Sequence, residues 1–369
     1  MRLIVPLLCL LLCMTSTAVV AAPPPAPVGE RHGVAQLASA AVRDAGQRDA
    51  VRYTAWYPAT ADARELPITI GPAEAPLFEV GRAAADAGIA PGQLPTVLLS
   101  HGNGGSARMM GWFGTALARA GYLVIAVDHP GNNGVDAMTA AGSLLSWERA
   151  EDLKAALAAV QADPQLGPHV DAGRLGVAGF SAGGFTALVA AGARVDLAQL
   201  IAFCRAHPDD GVCRPQQESP DMTLEARIAT AAAPALAPYM AASSADHRIP
   251  GVRAVFVMAP AIVQALTPAH LRALPQPLSI LVGDADDVAP PVSNAEVLAA
   301  LVPEAGLRVL ADVGHYDFLA ICTPAGQRAM PPLCSGTASR QATHAAAIAQ
   351  AIHLFGEALA PVNDTPPAR

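Results

Sequence analysis

The chain has 369 residues, of which 52% are hydrophobic and 15% are charged, and its 31 acidic and 23 basic residues give a formal net charge of −8. A composition this apolar excludes a chain that is disordered throughout and can bury an extensive core in one large domain or two. The acidic balance argues against nucleic acid as a partner.

The first 22 residues have the pattern of a secretory signal peptide. Arg2 precedes an apolar run from Leu3 to Met14, and small residues follow as far as Ala22. We therefore expect cleavage between Ala18 and Ala22 and a mature chain that is periplasmic or secreted. The apolar run is short for a membrane span, so no stable span is expected in the mature chain, and an uncleaved N-terminal anchor is the alternative.

The rest of the chain divides into a spacer, a large domain and a tail. Residues 23–45 begin with a proline-rich stretch, Pro23–Pro27, and are interpreted as a spacer. Residues 46–360 are predicted to form the folded domain, and residues 361–369 a C-terminal tail.

Four cysteines lie beyond the leader in two sequence-local pairs, Cys204 with Cys213 and Cys322 with Cys334. An even number in an oxidising compartment predicts two disulfides, and free buried thiols are the alternative. Neither pair has the two-residue spacing of a zinc knuckle, so no metal site is predicted.

Apolar periodicity predicts the secondary structure. Val51–Tyr57 and Leu66–Ile70 are rich in strand-forming residues and are predicted to form a leading antiparallel pair. Further strands are predicted at Thr96–Ser100, Leu123–Val127, Arg174–Ala178, Ala254–Met258, Leu278–Val282 and Arg308–Leu310. Helices are predicted at Arg108–Ala120, Ser146–Ala162, Phe185–Ala191, Val292–Leu301 and Thr343–Leu359. This alternation predicts an α/β fold with a mostly parallel central sheet and helices on both of its faces.

Residues 192–250 interrupt the alternation with polar, proline-containing sequence. We interpret this segment as an inserted cap. Insertions at the carboxyl end of a strand-helix unit lie over the cleft of an open α/β sheet, so this segment is expected to shape the substrate pocket.

A nucleophile-elbow pattern, Gly179-Phe180-Ser181-Ala182-Gly183, lies between a predicted strand and a predicted helix. In such an elbow the serine hydroxyl projects into a cleft, and the N–H of the following residue, here Ala182, can stabilise an oxyanion. The alternative is a turn of small residues that lets a helix pack closely on the sheet. An acid and a histidine that follow in the order typical of this fold favour the catalytic interpretation of Ser181.

The acid is expected in the loop after the strand Leu278–Val282, where Asp284, Asp286 and Asp287 compete. Calcium binding is an alternative for this loop, since Asp284 and Asp286 match the first two ligand positions of a calcium loop. The next ligand position, the glycine position and the final carboxylate position of such a loop, however, are occupied by Val288, Ala289 and Ala295.

The expected general base is His315, which follows Gly314 in the loop after the last predicted strand. An imidazole there can take the serine proton and return it to the leaving alcohol. His344 and His353 fall on the last predicted helix, and His270 precedes the acid, so chain order favours His315.

The glycine-rich loop Ser100–Gly105 follows the first parallel strand. Its glycines allow the backbone to approach a reacting carbonyl, and Asn103 is the expected second oxyanion donor. A phosphate-binding loop is the alternative, but the lysine and hydroxyl residue of a P-loop are missing.

Several motifs in this order resemble one superfamily. They are Trp56-Tyr57-Pro58, Ser100-His101-Gly102-Asn103-Gly104, Asp128-His129-Pro130-Gly131, Gly179-Phe180-Ser181-Ala182-Gly183-Gly184 and Gly314-His315. From about Val51 to Leu359 the chain resembles the α/β-hydrolase superfamily. Within it, the chain is similar to exported bacterial proteins called predicted dienelactone hydrolases, which are related to platelet-activating-factor acetylhydrolases.

The resemblance implies cleavage of a small-molecule or lipid ester through an acyl-serine intermediate, without a cofactor. Ser181 would be the nucleophile, His315 the base, and the N–H groups of Asn103 and Ala182 the oxyanion hole. The spacing of the family's acid loop favours Asp286, and Asp284 stays the main rival.

The chain departs from relatives of this group in two places. True dienelactone hydrolases carry a cysteine nucleophile, so their substrate does not transfer to this chain. In the animal acetylhydrolases the acid follows the preceding strand, where this chain has Met258-Ala259-Pro260. Amide or peptide hydrolysis by the same residues, and a non-catalytic binding protein on the same scaffold, are the alternative functions.

Overall fold

The computed structural model describes residues 26–361, and the predicted signal peptide and residues 362–369 of the predicted tail lie outside the described residues. Eleven strands form the sheet. They are β1 (Val28–Gln36), β2 (Ala50–Pro58), β3 (Leu66–Ile70), β4 (Phe78–Ala85), β5 (Leu94–Ser100), β6 (Leu123–Asp128), β7 (Val170–Phe180), β8 (Val252–Met258), β9 (Leu278–Gly283), β10 (Gly306–Leu310) and β11 (Ile321–Cys322).

The strands lie in the order β10-β9-β8-β7-β5-β6-β2-β1-β4-β11, and β3 pairs with β4. From β10 to β6, each strand is parallel to the next one in this order. At the other end, β2 is antiparallel to both β6 and β1. The predicted fold class, an α/β fold with a mostly parallel central sheet, is confirmed.

Helices cover both faces of this sheet. They are α1 (Ala40–Arg43), α2 (Gly111–Arg119), α3 (Ala140–Leu144), α4 (Glu148–Ala162), α5 (Ala182–Ala191), α6 (Leu197–Ala206), α7 (Leu224–Ala231), α8 (Ala237–Ala242), α9 (Pro268–Arg272), α10 (Ala295–Leu301), α11 (Pro324–Ala329), α12 (Pro331–Cys334) and α13 (Arg340–Ala358). Side chains of a strand alternate between faces. Accordingly, Leu98 packs in the core that contains α4 and α5, whereas Val97 and Leu99 pack in the core that contains α2 and α13.

The expected pairing of the leading strands was wrong. The predicted strand Val51–Tyr57 is β2, but it pairs with β1 and β6, while β3 pairs with β4. The spacer expected at residues 23–45 is also wrong from Val28 onward, because β1 makes nine residue pairs with β2, from Val28 opposite Pro58 to Gln36 opposite Ala50. Pairing with a neighbouring strand here outweighs weak local propensity: β1 and β4 contain glycine, alanine and charged residues.

Residues 192–250 contribute no strand to the sheet and contain α6, α7 and α8. The sulfur atoms of Cys204 and Cys213 lie 2.02 Å apart and tie the end of α6 to the loop that follows. The sulfur atoms of Cys322 and Cys334 lie 2.05 Å apart and join β11 to α12. Among residues 26–361, no helix has both the length and the apolar character that crossing a membrane requires.

The strand order changes direction around β5. The chain runs from β5 to β6 on one side and then crosses to β7 on the other side of β5. Ligands bind in open α/β sheets at the carboxyl ends of strands beside such a reversal. The loop that begins at Ser100 and the turn at Ser181 follow β5 and β7, so both lie at this position.

Candidate active site

Ser181 lies in the sharp turn between β7 and α5. Its backbone has φ +57° and ψ −122°, a conformation that is strained for a residue with a side chain. The flanking glycines allow the turn: a Cβ atom on Gly179 would lie 1.9 Å from the Gly183 carbonyl oxygen, and one on Gly183 would lie 2.0 Å from the Ser100 carbonyl oxygen. The Ser181 N–H donates to the Met258 carbonyl at 2.9 Å, which ties the turn to β8.

The structure brings together the three side chains that the sequence singled out. His315 Nε2 lies 2.9 Å from Ser181 Oγ, and His315 Nδ1 lies 2.7 Å from Asp286 Oδ2. All three residues are buried. Since Asp286 can only accept a hydrogen bond when ionised, Nδ1 carries the proton, and Nε2 is left to accept the proton of the Ser181 hydroxyl.

The neighbouring aspartates are placed differently from Asp286. The second oxygen of Asp286 accepts hydrogen bonds from the N–H groups of Val288 and Ala289, at 3.1 and 2.7 Å. Asp284 is exposed, and its carboxylate accepts a bond from the Asp312 N–H at 2.7 Å. Of the competing aspartates, Asp286 is therefore the one that holds the imidazole.

Asp284 and Asp286 do not converge on a common point, because each is committed to the hydrogen bonds described above. In the part of the chain that the structure describes, no three side chains of His, Cys, Asp or Glu cluster as a metal site would require.

Two loops position His315. It begins a short 3₁₀ helix, His315–Phe318, in the loop after β10. The Ala285 N–H donates to the Val313 carbonyl at 3.1 Å, so the loop of the acid and the loop of the histidine are joined directly. The imidazole packs beside the Phe180 ring, with centroids 4.9 Å apart, which restricts its rotation.

Two residues whose backbone N–H groups could stabilise an oxyanion line the same cavity as Ser181. Asn103 lies in the loop after β5, and Ala182 is the first residue of α5; both line a cavity beside Ser181. Within residues 26–361, neither N–H donates to another protein group. An N–H at the start of a helix also lies at the positive end of the helix dipole. Both groups are available to a developing oxyanion.

A chain of hydrogen bonds that the sequence did not reveal fixes the loop of Asn103. Asn103 Oδ1 accepts from Asn132 Nδ2 at 2.8 Å, and Asn132 Oδ1 accepts from Arg149 Nη1 at 2.7 Å. Arg149 also donates to the His101 carbonyl. Burial lowers the pKa of Arg149 to about 9, which leaves the guanidinium protonated at neutral pH. Asn103 is thus held through α4, which carries Arg149.

Beneath this loop lies a second group of serine, histidine and aspartate. His129 Nε2 lies 2.8 Å from Ser100 Oγ, and His129 Nδ1 lies 2.8 Å from Asp152 Oδ2. Asp152 also forms a buried ion pair with Arg43, at 2.6 Å. All four side chains are inaccessible to solvent, and Ser100 and His129 line none of the cavities around Ser181. This group therefore supports the loop rather than offering a second nucleophile.

Burial and neighbouring charges determine the protonation states of His129 and Asp152 in this group. Burial lowers the pKa of His129 to about 3, so the imidazole is neutral. For Asp152, burial alone would raise the pKa, but the ion pair with Arg43 and the hydrogen bond with His129 outweigh it and lower the pKa to about 2. Ser100 and His129 stand in two of the motifs given above, but no local pattern joins the four residues, because they come from α1, β5, α4 and the end of β6.

We expect the stability of the folded protein to fall as the pH decreases from about 6.5 to about 4. Burial lowers the pKa of His129 to about 3, that of His344 to about 4 and that of His101 well below its ordinary value. The unfolded chain therefore binds protons in this range that the folded chain excludes. Each such histidine removes up to about 1.4 kcal/mol of unfolding free energy per pH unit.

Urea unfolding at pH 7, 6, 5 and 4 measures this decline. Carboxylates with a lowered pKa, such as Asp152 at about 2 and the carboxyls of Glu30 and Glu151, affect stability mainly below about pH 5, so the interval from pH 6.5 to 5 reports on the histidines. In the His344→Gln variant the unfolding free energy should fall less steeply with decreasing pH. The slope should correspond to about one proton fewer taken up on unfolding, because one of the three histidines is gone. An unfolding free energy that is constant from pH 6.5 to 4 would contradict the neutral state of these histidines.

Two cavities meet at Ser181. The first, which we call the histidine-side cavity, has a volume of about 70 Å³ and is lined by residues that include Met109, Phe180, Glu218, His315 and Tyr316. The second, which we call the helix-side cavity, has a volume of about 60 Å³ and is lined by residues that include Arg149, Ala182, Val212, Arg227 and Ile262. Residues 192–250 contribute Gln216 to both cavities, Glu218 to the first, and Val212 and Arg227 to the second.

A serine in a strained strand-to-helix turn, at the carboxyl edge of a mostly parallel sheet, defines the α/β-hydrolase class of folds. The model of the alpha/beta hydrolase family matches residues 97–321, which include Ser181, Asp286 and His315. The chain therefore belongs to the alpha/beta hydrolase family.

One solved structure supports this fold, and a second is similar to a lesser degree. A ferulic acid esterase from Streptomyces cinnamoneus is 21% identical, with a TM-score of 0.58, and the match covers 95% of this chain and 96% of that one. A puromycin-hydrolyzing peptidase of Mycobacterium tuberculosis is 15% identical, with a TM-score of 0.49, and the match covers 90% of this chain and 40% of that one. At 21% identity the likeness to the esterase concerns the fold alone. No curated protein matches the sequence.

Proposed function

We propose that the protein is a serine hydrolase that cleaves carboxylic esters through an acyl-serine intermediate. The main support is the hydrogen-bonded series from Ser181 Oγ to His315 at 2.9 Å and from His315 to Asp286 at 2.7 Å. The two unpaired N–H groups of Asn103 and Ala182 support the same reaction.

In the first half of the reaction, Ser181 Oγ attacks the ester carbonyl carbon while His315 Nε2 takes the hydroxyl proton. The carbonyl oxygen becomes an oxyanion that accepts hydrogen bonds from the Asn103 and Ala182 N–H groups. The bond to the leaving oxygen then breaks, and His315 gives its proton to the alcohol. Asp286 stabilises the imidazolium during this step.

In the second half, a water molecule enters where the alcohol has left. His315 Nε2 takes one of its protons, and the hydroxide oxygen attacks the acyl carbon. The bond to Ser181 Oγ breaks, the carboxylic acid departs, and the proton on His315 returns to Ser181. The steps balance without a cofactor.

We place the protein, within its family, near the exported proteins that are similar to platelet-activating-factor acetylhydrolases, on the motifs given above. We propose export from the signal-like first 22 residues, and the two bonded cysteine pairs suit an oxidising compartment. The contribution of residues 192–250 to both cavities supports their role as a cap that shapes the substrate pocket.

A fluorophosphonate probe tests the proposal directly. We expect one phosphonyl group per molecule, located on Ser181 by mass spectrometry of proteolytic peptides. Ser100, which is fully buried, serves as the internal control and should stay unlabelled. Absence of labelling, or labelling elsewhere, would contradict the assigned nucleophile.

Turnover of 4-nitrophenyl butyrate, compared with that of butyric acid 4-nitroanilide, then separates ester from amide hydrolysis. The two substrates share the acyl group and differ in the leaving group. We expect turnover of the ester and none measurable for the anilide. Comparable rates on both would favour amide hydrolysis.

A further inference from the structure

Arg227 is a cation without an acidic partner beside the proposed nucleophile. It lies in α7 and lines both the helix-side cavity and the cavity next to it. Its Nε donates to the Met222 carbonyl at 3.3 Å, and within residues 26–361 no carboxylate comes within 4.0 Å of it. Its Nη atoms donate to no group in this part of the chain, so they are available to a ligand.

The charged residues that line the helix-side cavity are positive, although the protein as a whole is acidic, with a net charge of −8. The helix-side cavity is lined by two arginines, Arg149 and Arg227, and by no aspartate or glutamate. Arg149 is already occupied, since it donates to Thr186, Asn132 and the His101 carbonyl. Arg227 is therefore the cation of this cavity with N–H groups to spare.

The cavity next to it, which we call the apolar cavity, has a volume of about 100 Å³. It is lined mainly by aliphatic side chains, among them Leu144, Leu200, Leu224, Ile228 and Ile262, and Arg227 is the charged residue in its wall. Burial among these groups lowers the pKa of Arg227. Arg227 is half-buried, and pairing with an anion offsets the cost for the part of its guanidinium that is removed from water.

The position of His315 indicates which part of an ester meets Arg227. The leaving alcohol takes its proton from His315 Nε2, so it lies on the side of Ser181 that His315 lines, and the histidine-side cavity is the one there that Ser181 also lines. The helix-side cavity is lined by Ser181 and Ala182 but not by His315, so it receives the acyl group. Glu218 lies on the alcohol side and Arg227 on the acyl side.

We propose that Arg227 binds a carboxylate at the far end of the acyl group, so that the preferred substrates are half-esters of dicarboxylic acids. This inference rests on the proposed ester hydrolysis. One guanidinium with a free pair of Nη groups matches the single charge and the two oxygens of a carboxylate. The methylene groups between the two carbonyl carbons pack against the aliphatic wall of the apolar cavity.

Two esters of equal acyl length test this preference. The 4-nitrophenyl half-ester of glutaric acid and 4-nitrophenyl valerate differ only in the terminal carboxylate or methyl group. We expect a higher kcat/KM for the half-ester in the wild type. Arg227→Met should lower the ratio of the two kcat/KM values by about 10- to 100-fold, as for loss of a hydrogen bond to a charged group. Arg227→Lys should lower it less.

Arg205→Met is the matched control, since Arg205 is an exposed arginine on α6 of the same segment. Its ratio should equal that of the wild type. A wild-type preference for valerate, or an unchanged ratio in Arg227→Met, would overturn the inference while leaving ester hydrolysis intact.

A binding measurement decides the inference even if neither ester is hydrolysed. Calorimetry with Ser181→Ala should show tighter binding of monomethyl glutarate than of methyl valerate. The advantage should disappear in the Ser181→Ala/Arg227→Met double variant. Equal binding of the two ligands by Ser181→Ala would overturn the proposed carboxylate site.

Discussion

The Ser181→Ala variant is expected to lose about 10⁵-fold or more of kcat on 4-nitrophenyl butyrate, because alanine has no oxygen to form the acyl intermediate. The variant lacks the Ser181 hydroxyl, which would carry the acyl group and whose Oγ lies 2.9 Å from His315 Nε2. Residual turnover would come from the Asn103 and Ala182 N–H groups, which can still polarise the carbonyl. Initial rates with purified protein of equal concentration measure the effect.

Ser244→Ala provides the control for this variant. Ser244 is exposed in the loop after α8, far along the chain from the elbow, and its side chain makes no hydrogen bond with residues 26–361. Its kcat should equal that of the wild type. Turnover by Ser181→Ala at the wild-type rate would rule out Ser181 as the nucleophile.

We expect Asp286→Asn to reduce kcat by about 10⁴-fold while leaving the fold intact. The asparagine oxygen can still accept the bonds from Val288 and Ala289, which Asp286 receives at 3.1 and 2.7 Å. Its amide group, however, donates to His315 Nδ1, so the proton moves to Nε2 and the imidazole can no longer accept the proton of Ser181.

Asp284→Asn is the matched variant in the same loop. Asp284 is exposed and bonds the Asp312 N–H, which an asparagine oxygen can also do. Activity close to that of the wild type is expected. A larger loss in Asp284→Asn than in Asp286→Asn, with equal melting temperatures for both proteins, would show that the acid is assigned to the wrong aspartate.

The sequence alone determined the elements that carry the candidate site. Buried parallel strands are nearly continuous apolar runs, so β5 to β9 could be recognised locally. The tight turn of the elbow requires glycine at positions 179 and 183. Five consecutive residues of the sequence are therefore enough to identify the elbow. Because carboxyl ends of parallel strands share one edge of a sheet, the loops of Ser181, Asp286 and His315 could be expected together.

The sequence could not determine the pairing of the first strands. The strands β1 and β4 have poor local strand propensity and are stabilised by neighbours, which leaves no periodic signal in their own residues. The sequence also could not show that Ser100, His129 and Asp152 form a hydrogen-bonded group, because these residues lie on separate elements.

Only the tertiary structure decided which aspartate meets His315 and which cation faces the acyl side of the cleft. Asp284 and Asp286 are two residues apart and chemically identical, and the course of one loop turns one of them to the solvent and the other to the imidazole. Arg227 is one arginine among many in the sequence, and it becomes distinctive only because α7 folds back over the elbow without bringing an acidic partner. Local composition specifies which elements form, whereas contacts between distant residues specify which side chains those elements bring together.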